Sequence, residues 1–200
     1  MPSYPLMYRL GMTPWERYGQ AAAGSIAAAL DRERAEAGDP PGRALDLGCG
    51  RAQFTPELVR RGWSAVGVDI VPAAIEGARR IDPDGGRYVV GDVTALDADL
   101  GRFDLFLDIG CFQGFEASER AGMGRSVTER AAPGARMLML AFGPTRLRSM
   151  IGGVSEDQVV AAFPGWELTD SQPAETAGLG FPMNHTKPRW YRLRRRPAAA

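Results

Sequence analysis

The chain has a single histidine, His185, and only two cysteines, Cys49 and Cys111, in 200 residues. One imidazole cannot build a histidine-rich zinc site, nor a mechanism that needs two of them. The cysteines stand in no CxxC or other metal-ligand spacing, so no metal is expected, and the pattern suits a reducing compartment without a disulfide framework. An excess charge of either sign is missing as well. Lys plus Arg and Asp plus Glu number 24 each, so the chain has no strong overall field for a polyanion, and no nucleic acid is expected as partner. No long apolar run opens the chain. Pro2, Pro5, Arg9 and Glu16 interrupt the N-terminus, so neither a signal peptide nor a membrane span is read, and a cytoplasmic protein without membrane contact is expected.

What remains is ordinary for one soluble domain: 44% hydrophobic and 24% charged residues over residues 1–200. Thr13 as N-cap, Pro14 at the first helical position and Gly38 as a stop predict an alanine-rich helix over Pro14 to Ala37. After the Asp39–Gly42 break, strands are predicted at Ala44–Leu47, Ala65–Asp69, Tyr88–Val90, Phe103–Asp108 and Ala135–Phe142. Helices are predicted over Phe54–Arg61, Pro72–Arg80 and Ala117–Ala131. This alternation implies parallel pairing, hence a three-layer α/β/α sandwich. A helix at Ser155–Phe163 and strands at Trp166–Ser171 and Arg189–Arg194 close the chain. The arginine-rich last strand is read as a solvated sheet edge, where charge discourages aggregation.

The suggestive residues lie at strand ends, where ligands bind in such sheets. Leu45-Asp46-Leu47-Gly48-Cys49-Gly50 runs an apolar segment into a turn whose glycines let backbone approach a ligand closely. Asp69 follows Gly50 by 19 residues, close to the offset at which an acid reaches a ribose hydroxyl in a nucleotide-binding βαβ unit. Asp92 and Asp108 continue the series at the third and fourth strands. A dinucleotide fingerprint would place a third glycine where Gln53 stands, and no GK[ST] completes a phosphate loop, so NAD and triphosphates are disfavoured. An adenosine bearing a cationic centre and an ammonium group suits this acidic rim better.

Those motifs, LDLGCGRAQF, VGVDI, GDV and FDLFLDIGCF, in this order and spacing resemble the class I S-adenosylmethionine-dependent methyltransferases over residues 43–142. The resemblance implies a Rossmann-like, seven-stranded, mostly parallel sheet with an antiparallel last strand. It implies S-adenosyl-L-methionine as cofactor, with Gly48, Cys49 and Gly50 passing its methionine and ribose parts. Asp46 would orient that loop, Asp69 would bind the ribose hydroxyls beside Ile70, and Asp92 with Val93 would border the adenine. Asp108, Ile109 and Gly110 would face the methionine end and the transferred methyl. Residues 1–42 would form a helical lid, 43–142 the cofactor core, and 143–200 a substrate-side insertion and hairpin. Trp15 and the DxGxF segment are similar to the thiopurine and tellurite-resistance enzymes, which often carry histidine where this chain has Gln113.

The expected reaction is methyl transfer to an oxygen, nitrogen or sulfur of a small aromatic or heterocyclic acceptor, by a monomer or homodimer. A macromolecular acceptor and a cofactor-binding protein without transferase activity are the alternatives. Trp15, Tyr18, Phe112, Gln113 and Phe142 are the candidate acceptor contacts, although Trp15 and Tyr18 fit core or lid packing equally well. Asp108 and His185 are the candidate catalytic groups. Asp108 also fits a turn cap, Asp69 a helix cap, His185 a plain surface histidine, and the two cysteines small packing residues.

Overall fold

Short apolar runs ending at glycine or aspartate alternate with helix-forming stretches, and the computed structural model, which describes residues 22–144, 153–176 and 185–197, assembles them into one sheet flanked by helices. In chain order these are α1 (Ala23–Ala35), β1 (Arg43–Leu47), α2 (Thr55–Arg60), β2 (Ser64–Asp69), α3 (Pro72–Ile81) and β3 (Arg87–Val90). Then come β4 (Phe103–Ile109), α4 (Ala117–Arg130), β5 (Ala131–Ala141), α5 (Glu156–Ala162), β6 (Trp166–Pro173) and β7 (Arg189–Arg195). The strands lie in the order β3-β2-β1-β4-β5-β7-β6. The first five pair in parallel, and β7 runs against both β5 and β6. The mostly parallel seven-stranded sheet with its reversed last strand is therefore the one expected.

Local chemistry explains the helix starts. Pro72 begins α3, where its missing N–H costs nothing. Glu116 and Glu119 form a capping box on α4, and Ser155 with Gln158 forms another on α5. The predicted helix over Pro14 to Ala37 meets the described residues as α1; its proposed Thr13 cap lies outside them.

The sheet buries both faces. Phe103 and Phe106 of β4 pack with Met123 and Val127 of α4 and with Phe163 and Trp166. Leu105 and Leu107 point the other way, toward Ile26 and Leu30 of α1 and Leu58 of α2. A register shift between Phe103 and Leu105 puts Phe103 on the face of Phe106, where strict alternation would have grouped it with Leu105.

Two expectations are corrected. Ala131 opens β5 rather than closing a helix, since the strand begins early to pair with Phe103. The arginine-rich β7 is no edge: it is the inner strand of the closing hairpin, and β6 takes the edge. Arg189, Arg192 and Arg195 have partners instead. Arg192 meets the fully buried Glu33 of α1 at 2.6 Å and Glu36 at 2.8 Å, while Arg136 of β5 meets Glu33 at 2.9 Å. This cluster ties α1 to the sheet.

Among the described residues no helix is long and apolar enough to cross a membrane, and no group of three or more His, Cys, Asp or Glu is placed to hold a metal ion.

Candidate active site

The chain winds outward from β1 through β2 to β3, then crosses back to lay β4 on the other side of β1. The crevice beyond the carboxyl ends of β1 and β4 is thus the switch point at which ligands enter such sheets. Two loops border it, one after Leu47 and one after Ile109.

The first loop is held from below. Asp46 is buried, and its Oδ2 accepts the hydroxyl of fully buried Thr55 at 2.7 Å, fixing the start of α2 against β1. Burial pushes the Asp46 carboxyl up to about 7, against the Thr55 bond, with the negative charge of Asp69 adding to the rise. Gly48 and Cys49 both donate backbone N–H groups to the Val68 carbonyl, at 2.8 and 3.0 Å. Gly50 N–H donates to Asp69 Oδ2 at 2.9 Å, and Val71 N–H to Asp69 Oδ1, also at 2.9 Å. Asp69 therefore caps the approach to α3 and grips the glycine turn at once. Its carboxyl is raised by burial, with the two N–H bonds opposing.

Gly48 and Gly50 have φ of +71° and +55°, the left-handed region that favours glycine. A Cβ on Gly48 would stand 2.9 Å from both Cβ and Sγ of Cys111. The close approach that needs glycine here is thus first to the second loop.

In that loop the expectations for Asp108 and Phe112 are corrected. Asp108 is fully buried, and its two oxygens accept the N–H groups of Cys111 at 3.2 Å and Phe112 at 3.0 Å. Burial pushes its carboxyl up to about 7, with those bonds opposing. It shapes the loop and offers no exposed oxygen to an acceptor. Phe112 is also fully buried, 5.7 Å from the Phe163 ring and under the Arg120 guanidinium at 5.6 Å. An aromatic following a strand end reads equally as pocket wall or core; the turn directs this one into the core.

The other named residues are distributed as follows. Gly110 has φ of +86° and donates to Leu140 O at 2.9 Å; Ile109 is half-buried beside it. Gln113 is buried and accepts the Phe142 N–H through Oε1, linking the ends of β4 and β5. Phe142 packs with Leu138 and Leu140. Cys49 is buried, and burial raises its thiol. Asp92 is exposed and holds the backbone and hydroxyl of Thr94 at 2.8 and 2.7 Å, while Val93 is in the core. His185 is exposed, and the carbonyls of the next two residues, Thr186 and Lys187, accept Gly143 N–H at 2.9 and 3.1 Å. This brings the His185 segment to the carboxyl end of β5. Trp15 and Tyr18 lie outside the described residues. Sequence reasoning missed Thr55 and the Gln113 clamp. Thr55 had one signal, a hydroxyl just before Pro56 at a helix start.

The donor set fits an adenosine-type ligand. Ile70 is 62% exposed and Val90 46% exposed, and Val90 pairs in register with Asp69, so apolar surface for a flat ring adjoins carboxylates suited to ribose hydroxyls.

Residues 44–134, which carry both loops, match the family described as methyltransferase domain. The chain is 32% identical over 155 residues to the 2-heptyl-1-hydroxyquinolin-4(1H)-one methyltransferase of Mycobacteroides abscessus, covering 72% of this chain and 67% of that protein. The chain belongs to the class I S-adenosylmethionine-dependent methyltransferases. Solved methyltransferases share its fold. The N-methyltransferase NodS of Bradyrhizobium japonicum, in complex with S-adenosylhomocysteine, superposes with a TM-score of 0.71 at 16% identity, covering 94% of this methyltransferase and 91% of that chain. Magnesium protoporphyrin IX methyltransferase from Synechocystis, with S-adenosylmethionine bound, gives 0.69 at 18% identity, covering 90% and 81%.

Proposed function

We propose that this methyltransferase transfers a methyl group from S-adenosylmethionine to an oxygen, nitrogen or sulfur of a small aromatic or heterocyclic acceptor. The observation that carries the reading is the junction of the Gly48–Gly50 turn, gripped by Asp69, with the Gly110 loop at the β1/β4 switch point. When bound, the cofactor supplies an already activated methyl on a cationic sulfur, so the protein's work is binding and alignment.

Asp69 has lone pairs beyond those that hold Gly50 and Val71, and these suit the ribose hydroxyls. Ile70, Asp92 and Val93 border the adenine. Asp46 acts through Thr55, keeping the turn in place, while Gly48, Cys49, Gly50, Ile109 and Gly110 line the methionine side. The segments at Gly143 and at Thr186–Lys187 form the acceptor side, a reading supported by the bonds from Gly143 to Thr186 and Lys187. His185 is the remaining candidate base, needed only for an acceptor that does not ionise by itself. A small acceptor is favoured by the balanced charge, and the relative named for a hydroxyquinolone is of the same kind.

The test is calorimetry with S-adenosylhomocysteine, together with methyl transfer from labelled S-adenosylmethionine to an acceptor panel. Binding that weakens at least about tenfold in Asp69→Ala is expected, from loss of hydrogen bonds to a charged group. Undiminished binding in that variant, or none in the unmodified protein, defeats the reading. Tight binding without turnover on any acceptor would favour a non-catalytic role.

A further inference from the structure

Gln113 carries a carboxamide where the ends of β4 and β5 meet. Its Oε1 accepts the backbone N–H of Phe142, the first residue beyond β5. Only the oxygen of an amide can accept that bond, so the bond decides which way the group faces. The nitrogen is turned toward the second loop: Nε2 lies 3.7 Å from where a Cβ on Gly110 would stand. Among the described residues Nε2 has no hydrogen-bond partner. Gln113 as a whole is only 8% exposed, and Arg120, itself 6% exposed, donates through Nη2 to the backbone carbonyl of Gln113 at 3.3 Å. The amide is fixed by its oxygen, and its nitrogen, which is not among the buried polar atoms left without a partner, turns two donors toward a residue without a side chain, where water or a ligand can accept from them.

We infer that Gln113 reads the acceptor: its Nε2–H donates to a hydroxyl oxygen of the substrate, which makes hydroxylated rings such as phenols or N-hydroxy heterocycles the preferred class. The inference rests on the proposed function, which brings the acceptor to Gly110. The carboxylates of the two loops accept hydrogen bonds when ionised, whereas the amide donates without carrying charge. It therefore favours an oxygen as its anion, the hydroxyl proton passing to solvent. Among the family resemblances of this segment, Gln113 is the departure, and its clamp by Phe142 gives the departure a use.

Gln113→Glu separates the donor from the clamp, because one carboxylate oxygen can still accept the Phe142 N–H while the other replaces the donor. The full chain saturated with S-adenosylhomocysteine is titrated with 4-nitrophenol and, separately, 4-nitroaniline, following binding by calorimetry and phenol ionisation by absorbance. The unmodified complex is expected to lower the phenol's pKa. Gln113→Glu is expected to weaken phenol binding about 10- to 100-fold and to reverse the ionisation shift, as loss of a donor to a charged oxygen requires. Aniline, which can donate to the new carboxylate, binds as well or better. S-adenosylhomocysteine affinity stays unchanged, while the melting temperature falls because the new carboxylate is largely buried. Equal effects on phenol and aniline, no effect on either, or failure of the unmodified complex to bind the phenol would overturn the inference. So would loss of S-adenosylhomocysteine affinity in the variant, which would make Gln113 a support of the cofactor site. Absence of S-adenosylhomocysteine binding by the unmodified protein brings down the proposed function itself and is read before any acceptor is added.

Discussion

A Cβ placed on Gly48 would stand 2.9 Å from both Cβ and Sγ of Cys111, so the loop after β1 and the loop after β4 are locked against each other across the switch point. Gly48→Ala meets two costs, about 1–2 kcal/mol for a left-handed backbone with a side chain and about 1–3 kcal/mol for overpacking. A stability loss of about 2–5 kcal/mol in urea unfolding is expected, and Cys111→Gly in the same chain should recover the overpacking share. Full stability in the single variant would show that the loops separate freely.

The pH dependence follows from Asp46 and Asp108, whose folded pKa values are raised to about 7 by burial. A raised folded pKa means that the native state keeps protons which the unfolded state has released. Their stabilising effect is complete below the unfolded value near 4 and is lost as pH rises through about 7. Glu36 and Asp170, lowered by their arginine partners against burial, act oppositely, but only as pH falls below the ordinary carboxylate range. Unfolding free energy should therefore fall between pH 5 and 7, by about 1.4 kcal/mol per pH unit for each buried acid. Asp46→Asn should flatten that slope. A stability that climbs from pH 5 to 7 would contradict it.

Glu33 is 1% exposed and faces Arg136 and Arg192, which are themselves largely covered. Glu33→Ala removes the buried carboxylate that the two guanidinium groups share, leaving Glu36 at 2.8 Å from Arg192 and 4.0 Å from Arg136, and should cost about 1.5–3 kcal/mol. Hydrogen exchange should quicken in α1, the element the cluster fastens. A loss below about 1 kcal/mol would mark the cluster as a surface feature.

Gly124 sets helix propensity against packing. In the interior of α4, alanine is preferred by about 1 kcal/mol on propensity, yet a Cβ there would run into the Ala162 carbonyl at the end of α5. Packing outweighs propensity, so Gly124→Ala should lower the melting temperature and loosen α5. A raised melting temperature would mean that α5 can step aside.

What the sequence determined by itself was the alternation of strands and helices and the acids at the strand ends, because both follow from short-range pattern: apolar periodicity, proline and glycine punctuation, and fixed spacing from glycine turn to Asp69. It also identified the donor chemistry, since the motifs lie within one hundred contiguous residues, 43–142. Tertiary structure decided which side chains meet. Phe112 and Asp108 sit in the same short segment as Gly110, yet the turn sends the ring into the core and closes the carboxylate over backbone N–H groups. The arginines of β7 read as a solvated edge until strand order placed β7 inside the sheet and Arg192 beside Glu33, 159 residues earlier. Partners so far apart in the chain leave no local trace, because burial and charge pairing are decided by which surfaces the finished sheet brings together.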